Sequence, residues 1–241
     1  MQGWPSKHPP GAVCLVTGEL TRYALSMQCI NSLKAPPGSG LSWFTGVLIA
    51  KSINLSFQTV IDNPKFQWAW LMGDDHIFDP EILLRLLDRG KDIVVPLCLN
   101  RLPPFDPTVV DHRYKRMKYL EELPTSGLYK LEEYETCGDA GMLVSRSALE
   151  KLGPVWYERK KSGAHSAEDQ EFIAKVKENG FDIWYDLDNP IGHIGSVTYM
   201  PVRRDDKWQV RMTGGTGGTA QHIADLAPME RAVDAWRIRG E

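Results

Sequence analysis

Short apolar runs that alternate with helical segments constrain the fold of this chain more than any other feature of its sequence. The runs are AVCLVTGE (12–19), FQWAWLM (66–72) and DIVVPLCL (92–99), with a further short strand predicted near 41–46. Uninterrupted apolar runs of this length are typical of strands that are buried on both faces. Helical spacing follows over 23–33, up to about residue 61, and over 79–90. Strands that alternate with helices at this pace predict an α/β fold, with a mostly parallel central sheet flanked by helices.

The chain changes character after residue 100. A proline-rich stretch predicts irregular structure or a β-hairpin, and a strand in MLVS, a helix from about Arg146, a helix in SAEDQEFIAKVKENG and a strand in FDIWYD follow it. The composition of TGGTGGTA (213–220) predicts a flexible hinge, and the residues after it predict an amphipathic helix interrupted by Pro228. We therefore divide the chain into a main domain over 1–212 and a C-terminal tail over 213–241.

Composition narrows the classes of partner. Hydrophobic residues make up 42% of the 241 residues, charged residues 24%, and the formal net charge is −3. These values exclude a disordered chain and a basic nucleic-acid binder, so we expect a small partner. The four cysteines form no CxxC pair, and no window approaches the roughly 20 apolar residues of a bilayer span. We expect a cytoplasmic protein with reduced thiols and no transmembrane segment; the sequence leaves a homo-oligomer open.

The stretch WLMGDDHIFDP places Asp74, Asp75 and His76 directly behind a predicted strand. Asp79 is predicted to cap the next helix, so capping does not account for the two earlier aspartates. Ligands bind at the carboxyl ends of strands in open α/β sheets, and successive side chains alternate in direction, so one or two of the three should face a ligand. Carboxylate and imidazole suit Mn²⁺ or Mg²⁺, which bridge diphosphate oxygens.

Three pieces of the sequence carry a family resemblance over about residues 12–200. WAWLMGDDHIFDPEILLRLL resembles the DxD region of family-2-like glycosyltransferases with the A-type (GT-A) fold. AEDQEFIAKVKENGFDIWYD resembles the "ED" segment of these enzymes, and IGHIG resembles the later segment with a metal-binding histidine. The resemblance implies a GT-A type nucleotide-binding sandwich and a nucleotide-diphosphate sugar as donor.

The resemblance also implies roles for particular residues. Asp75 becomes the metal-binding acidic residue with His193 as its distant partner, and Asp169 becomes the catalytic base with Glu168 beside it. The first acidic position of DxD is Gly73 here. Either Asp74 takes over that role, or His76 is the third member of an Asp74-x-His76 variant.

Further candidates follow from the same resemblance and from residue type. Near the donor they are Thr17, Glu19 and Arg22 for the base and ribose, Asn54 on the second helix, and Arg101, which faces either phosphate or Asp106. At the acceptor pocket they are Gly138 and Asp139, which border it, and Trp156, which would stack on a sugar face.

The leading hypothesis is a metal-dependent glycosyltransferase of the hexosyltransferase type. It would move a sugar from a UDP- or GDP-linked donor to a hydroxyl of a glycan, lipid or small molecule, with inversion if Asp169 is the base. A nucleotidyltransferase is one alternative, but VTGELTRY lacks the Gly-rich basic loop expected after its first strand. A non-catalytic sugar- or nucleotide-binding relative is another; Gly73 supports it, whereas Asp169 and His193 argue against it.

Overall fold

The computed structural model describes residues 2–3, 5–17, 24–45, 48–101, 105–158, 168–194, 197–214 and 221–225. Two predicted donor-site residues, Glu19 and Arg22, lie outside these ranges, as do residues 226–241 of the predicted C-terminal helix.

Strands and short helices alternate along the described part of the chain. The strands are β1 (Gln2–Gly3), β2 (Ala12–Val16), β3 (Lys34–Ala35), β4 (Gly40–Phe44), β5 (Trp68–Gly73), β6 (His76–Ile77), β7 (Ile93–Pro96), β8 (Val109–Asp111), β9 (Arg116–Met117), β10 (Leu128–Lys130), β11 (Glu135–Cys137), β12 (Leu143–Ser145), β13 (Trp184–Asp186), β14 (Gly192–His193), β15 (Val197–Arg204), β16 (Lys207–Gly214) and β17 (Gln221–Asp225). The helices are α1 (Ala24–Ser32), α2 (Ile49–Asp62), α3 (Ile82–Asp88), α4 (Arg146–Leu152) and α5 (Glu168–Glu178).

The central sheet confirms the predicted α/β class. Among the described residues it has seven strands in the order β10-β13-β7-β12-β5-β2-β4. β2 pairs in parallel with β4 and β5, and β13 pairs in parallel with β7. β12 is antiparallel to both β5 and β7, and β10 is antiparallel to β13. Five of these seven strands therefore run in one direction, and their carboxyl ends meet at one edge.

Both faces of this sheet are covered, which explains the uninterrupted apolar runs. Alternate residues of the central strands belong to two separate buried clusters, as Cys14 and Leu71 do on one face and Leu15 and Trp70 on the other. The first cluster continues into α2, α4 and α5, and the second into α1 and α3. Helices on both sides leave the sheet edge as the accessible place for a ligand.

One of two predicted helix starts agrees with the structure, and the other lies three residues before the observed start. α4 begins at Arg146 as predicted, because the side chain of Ser145 accepts a hydrogen bond from the Ala148 backbone at 3.1 Å. α3 begins at Ile82, later than predicted. Asp79 instead closes a turn before the helix, where its Oδ1 accepts from the Glu81 backbone at 2.8 Å and its carbonyl accepts from Ile82 at 3.0 Å.

A second sheet, in the order β17-β16-β15-β14-β6, extends beyond the central one. β15 and β16 form a hairpin whose turn residues, Asp205 and Asp206, have φ of 52° and 58°, typical of a two-residue turn.

Residues 221–225 were predicted to begin a helix, and that prediction is wrong. They form β17, which pairs with β16 and so satisfies its backbone groups in the sheet. The division at residue 212 stays a prediction. No helix within the described ranges has both the length and the apolar character that crossing a membrane requires.

Candidate functional site

The predicted acidic turn lies where β5 leaves the central sheet. Asp74 and Asp75 form a two-residue turn between Gly73, the last residue of β5, and His76, the first residue of β6. The strand before them is buried, so the sheet fixes the position of the turn. The Asp75 carboxylate then meets three cationic or imidazole groups: His76 Nδ1 at 2.9 Å from Oδ1, and His193 Nε2 at 3.1 Å and Arg101 Nη1 at 3.3 Å from Oδ2.

Strand pairing brings His193 to this turn across 118 residues of sequence. β14 is antiparallel to β6, with His193 directly opposite His76, and their rings stack at 4.6 Å between centroids. His193 Nδ1 lies 3.0 Å from the Leu99 carbonyl oxygen. Because a carbonyl only accepts, Nδ1 carries the proton, and Nε2 is the nitrogen that faces Asp75. This is the arrangement by which proteins orient a metal-binding histidine.

His76 is the most informative side chain of the cluster. It is only 6% exposed, its Nδ1 pairs with Asp75 Oδ1 at 2.9 Å, and its Nε2 has no hydrogen-bond partner among the described residues. A buried polar group without a partner is costly, so its nitrogen is suited to a ligand that is not part of the chain. Asp75, His76 and His193 therefore fit a divalent cation.

Gly73 explains the departure from the DxD pattern. A Cβ at this position would lie 2.8 Å from Asp75 Oδ1 and 2.8 Å from His76 Nδ1. Any side chain at the first acidic position would thus displace the two groups that follow it. The cluster is built around the missing Cβ, and Asp75 and His76 occupy the space that an acidic residue at 73 would need. Asp74 is half-buried in the same turn, and its role as a ligand stays a prediction.

Electrostatics keep Asp75 ionised. Burial by itself raises the pKa of this carboxyl, but the adjacent imidazoles of His193 and His76 outweigh burial and hold the pKa well below its usual range. The turn therefore presents a carboxylate at any physiological pH.

A second carboxyl cluster contains the predicted base. The turn after β11 holds Gly138 and Asp139, and the first turn of α5 holds Asp169. A Cβ on Gly138 would lie 3.6 Å from Asp169 Oδ2, so this carboxylate lies against the glycine. Asp139 Oδ2 accepts a hydrogen bond from the Tyr157 hydroxyl at 2.9 Å. The two predicted residues, Asp139 and Asp169, are thus neighbours, and Tyr157 belongs with them.

Both carboxyls hold their protons more strongly than usual. Burial, with the nearby charge of Asp169 acting in the same direction, raises the pKa of Asp139 to about 7, and the Tyr157 hydroxyl opposes the shift. Burial also raises the pKa of Asp169. A carboxylate with a raised pKa is a stronger base than a solvated one, which is the property required to take a proton from an alcohol.

Buried contacts connect the two clusters. The Tyr185 hydroxyl lies 3.1 Å from the backbone N of Cys98 and 3.1 Å from Thr108 Oγ1. Cys98 precedes Leu99, whose carbonyl binds His193, while Thr108 Cβ lies 3.3 Å from the Cβ position of Gly138. The acidic turn and the Asp139–Asp169 pair therefore belong to one continuous part of the molecule.

Three other predicted site residues, Thr17, Glu168 and Arg101, lie in different surroundings. Thr17 follows β2, whose last residue is paired with Gly73; it is 2% exposed, and its hydroxyl has no partner in the described part of the chain. Glu168 is half-buried on the wall of a cleft of about 450 Å³ between α2 and the loop that contains Tyr157. Arg101 binds Asp75, a partner that the sequence did not predict.

The structure gives two residues predicted to contact substrate, Asn54 and Trp156, other partners. Asn54 Nδ2 donates to the Tyr157 carbonyl at 2.7 Å, and its Oδ1 accepts from the backbone N of Trp156 and Tyr157 at 3.1 and 2.9 Å. Both ends of the amide thus hold a loop rather than a donor. Trp156 is 3% exposed, donates to the Leu149 carbonyl at 2.9 Å and packs edge-on against Phe57, so it belongs to the core.

Sequence reasoning missed Cys98, Tyr157 and Tyr185. Cys98 was interpreted only as a buried thiol, although it follows β7, which is parallel to β5. The carboxyl ends of parallel strands meet at the same edge, and that signal was available in the sequence.

Comparison with known proteins supports the fold and goes no further. No protein-family model matches the chain, and no curated protein matches it. Among solved structures, A197 from STIV has a TM-score of 0.50 at 12% identity, covering 88% of this chain and 97% of its own. A protein described as a glucose-1-phosphate thymidylyltransferase from Bacillus anthracis, in complex with sucrose, has a TM-score of 0.37 at 11% identity, covering 76% of this chain and 89% of its own. The first likeness shows a shared fold, and the second is too distant to carry an argument.

Proposed function

We propose that this protein is a metal-dependent transferase that moves a sugar from a nucleotide-diphosphate sugar to an acceptor hydroxyl. The observation that carries the proposal is the meeting of Asp75, His76 and His193 at the carboxyl end of β5, where the buried Nε2 of His76 has no partner among the described residues. These are ligand types for a divalent cation, at the sheet edge where α/β folds bind nucleotides.

The donor half of the proposed site, around Asp75, would stabilise the leaving diphosphate with positive charge. Asp75, His76 and His193 would hold a divalent cation, whose positive charge would offset the negative charge that develops on the departing diphosphate. Arg101, whose side chain is 49% exposed, adds a second positive group that can turn from Asp75 toward a phosphate. Thr17 places a buried hydroxyl at the end of the neighbouring strand, where we assign the nucleoside.

The acceptor half uses the second carboxyl cluster. We assign Asp169 as the base that accepts the proton of the acceptor hydroxyl, with inversion as the outcome. Gly138 lets a sugar approach the backbone beside Asp169, and Asp139, held by Tyr157, can bind a second hydroxyl. Glu168 lines the adjoining cleft, through which we infer that the acceptor enters.

Binding of UDP and of GDP, measured by titration calorimetry with Mn²⁺ and then with EDTA, tests the donor half. We expect one nucleotide to bind only with metal, and Asp75→Asn to weaken that binding by about 10-fold or more, because the variant loses the charged ligand. Asp88→Asn is the matched control, since Asp88 pairs with Lys7 and His8. Binding that ignores EDTA or is equal in both variants would contradict the proposal.

Transfer activity tests the acceptor half. We expect Asp169→Asn to bind the nucleotide as the wild type does and to lose about 100-fold or more of the transfer rate. A variant that loses nucleotide binding to the same extent would show that Asp169 is not the base. Release of diphosphate from a nucleoside triphosphate and a sugar 1-phosphate would instead identify the nucleotidyltransferase alternative.

A further inference from the structure

A cysteine belongs to the same cluster as the two histidines. Cys98 lies two residues beyond β7 and is fully buried. Its sulfur, one ring nitrogen of His76 and one of His193 all lie within 4.8 Å of one another. The three residues come from separate parts of the sequence, and the folded sheet edge brings their donor atoms together.

His76 supplies an independent reason to expect a ligand there. Its ring is more than nine-tenths buried, and while Nδ1 pairs with Asp75, Nε2 lacks a hydrogen-bond partner within the described residues. Leu99 orients His193 through Nδ1, so Nε2, which lies 3.1 Å from Asp75 Oδ2, is the nitrogen that would bind the same ligand. Two imidazoles therefore lie beside a thiol. This set of donor atoms differs from the carboxylates of a DxD motif.

We propose that His76, Cys98 and His193 form a binding site for a thiophilic divalent cation, Zn²⁺ or its substitute Co²⁺, in preference to Mn²⁺ or Mg²⁺. Sulfur and imidazole ligands favour zinc, whereas manganese and magnesium favour oxygen. The inference deepens the proposed function, since it names the cation of the same cluster and makes Asp75 an additional ligand.

The spacing of the donor atoms is compatible with one ion. Zinc binds nitrogen at about 2.0–2.1 Å and sulfur at about 2.3 Å, so tetrahedral ligands lie about 3.3–3.8 Å apart. The three donor atoms now lie within 4.8 Å of one another. Side-chain rotation can bring them about 1 Å closer together, which places them in that range. Burial raises the pKa of the Cys98 thiol, so a cation that binds here displaces the thiol proton.

Cobalt spectroscopy on the full chain, treated with EDTA and then titrated with Co²⁺, tests the inference. We expect a thiolate-to-cobalt charge-transfer band in the near ultraviolet that Zn²⁺ abolishes by competition. Cys98→Ser should lose the band and bind Zn²⁺ about 10- to 100-fold more weakly. Cys29→Ser is the matched control, because Cys29 is a half-buried free thiol on α1, and this variant should keep the band.

The wild-type spectrum decides the matter even if Cys98→Ser fails to fold. A wild-type protein saturated with Co²⁺ that shows no thiolate band overturns the inference, as does a Cys98→Ser variant that keeps the band. The failure of the proposed function has a different signature. A protein that binds UDP or GDP with Mn²⁺ but gives no band refutes only the zinc site, whereas a band without nucleotide binding supports the zinc site and refutes the transferase.

Discussion

Replacing Gly73 with alanine should disable the cation site while leaving the fold intact. The new Cβ would lie 2.8 Å from both Asp75 Oδ1 and His76 Nδ1, where an ordinary contact begins at 3.4 Å, so these side chains must move by about 0.6 Å. Metal and catalytic sites tolerate about 0.5 Å of displacement. We therefore expect metal affinity to fall about 10- to 100-fold, and the free energy of unfolding to fall by about 1–3 kcal/mol because the turn is overpacked.

The assay is calorimetric titration of the metal-free protein with Mn²⁺ and with Zn²⁺, combined with urea unfolding of each variant. Gly3→Ala is the control, because nothing lies within 4 Å of a Cβ at Gly3. We expect this control to match the wild type in both measurements. Wild-type metal affinity in Gly73→Ala would refute the reasoning, since it would mean that Asp75 and His76 are not ligands or that the turn adapts freely. Gly73→Asp, which restores the DxD pattern, should be more damaging than alanine for the same reason.

Two further predictions concern buried groups away from the acidic turn. The pKa of Asp139 is about 7 in the folded protein, against about 4 in the unfolded chain. Between these two pH values the folded state keeps a proton that the unfolded state has lost. The free energy of unfolding therefore falls as pH rises through this window, by at most about 1.4 kcal/mol per pH unit. Urea unfolding at pH 5 and pH 7 should show a smaller loss in Asp139→Asn, and an equal loss would contradict the burial argument. Arg146 donates to four carbonyls near the end of α2, those of Val60, Ile61, Asn63 and Phe66. Arg146→Lys cannot reach all of them and should lower the free energy of unfolding by about 2–3 kcal/mol, measured the same way; an unchanged midpoint would mean that water replaces the guanidinium.

The sequence predicted the central sheet well, because strands buried on both faces require continuous apolar runs. β2, β5 and β7 were found on that signal alone. The two reversed strands, β10 and β12, have three residues each, and an apolar pattern indicates which faces of a strand are buried but not the direction in which it runs. β17 was misassigned because its five residues have the same mixed polarity as a short amphipathic helix, and only pairing with β16 decides between them.

The assignment of the site stays a prediction, and the two residues to which the structure gives other partners, Asn54 and Trp156, were assigned on a common basis. A motif at a strand end, such as Asp75 and His76, is recognisable because the strand fixes where it lies. Asn54 and Trp156 were assigned from residue type on helices and loops, where the same side chains serve equally to bind backbone or fill the core. Cys98 was undervalued for the opposite reason, because burial of a thiol by itself suggests packing, and only its distance from two histidines indicates a ligand.

Gly73 and Gly192, the two glycines beside the histidines, each leave space that the cluster requires. A Cβ on Gly192 would lie 2.7 Å from the Ile77 side chain, so this glycine permits β14 to approach β6 and places His193 opposite His76. Gly73 clears the space that Asp75 and His76 occupy. A chain that had merely lost the first acidic residue of a DxD motif would be free to carry any small residue there, whereas any Cβ at position 73 of this chain would displace Asp75 and His76. Glycine at position 73 therefore helps to bring a carboxylate and two imidazoles together, as the proposed cation site requires.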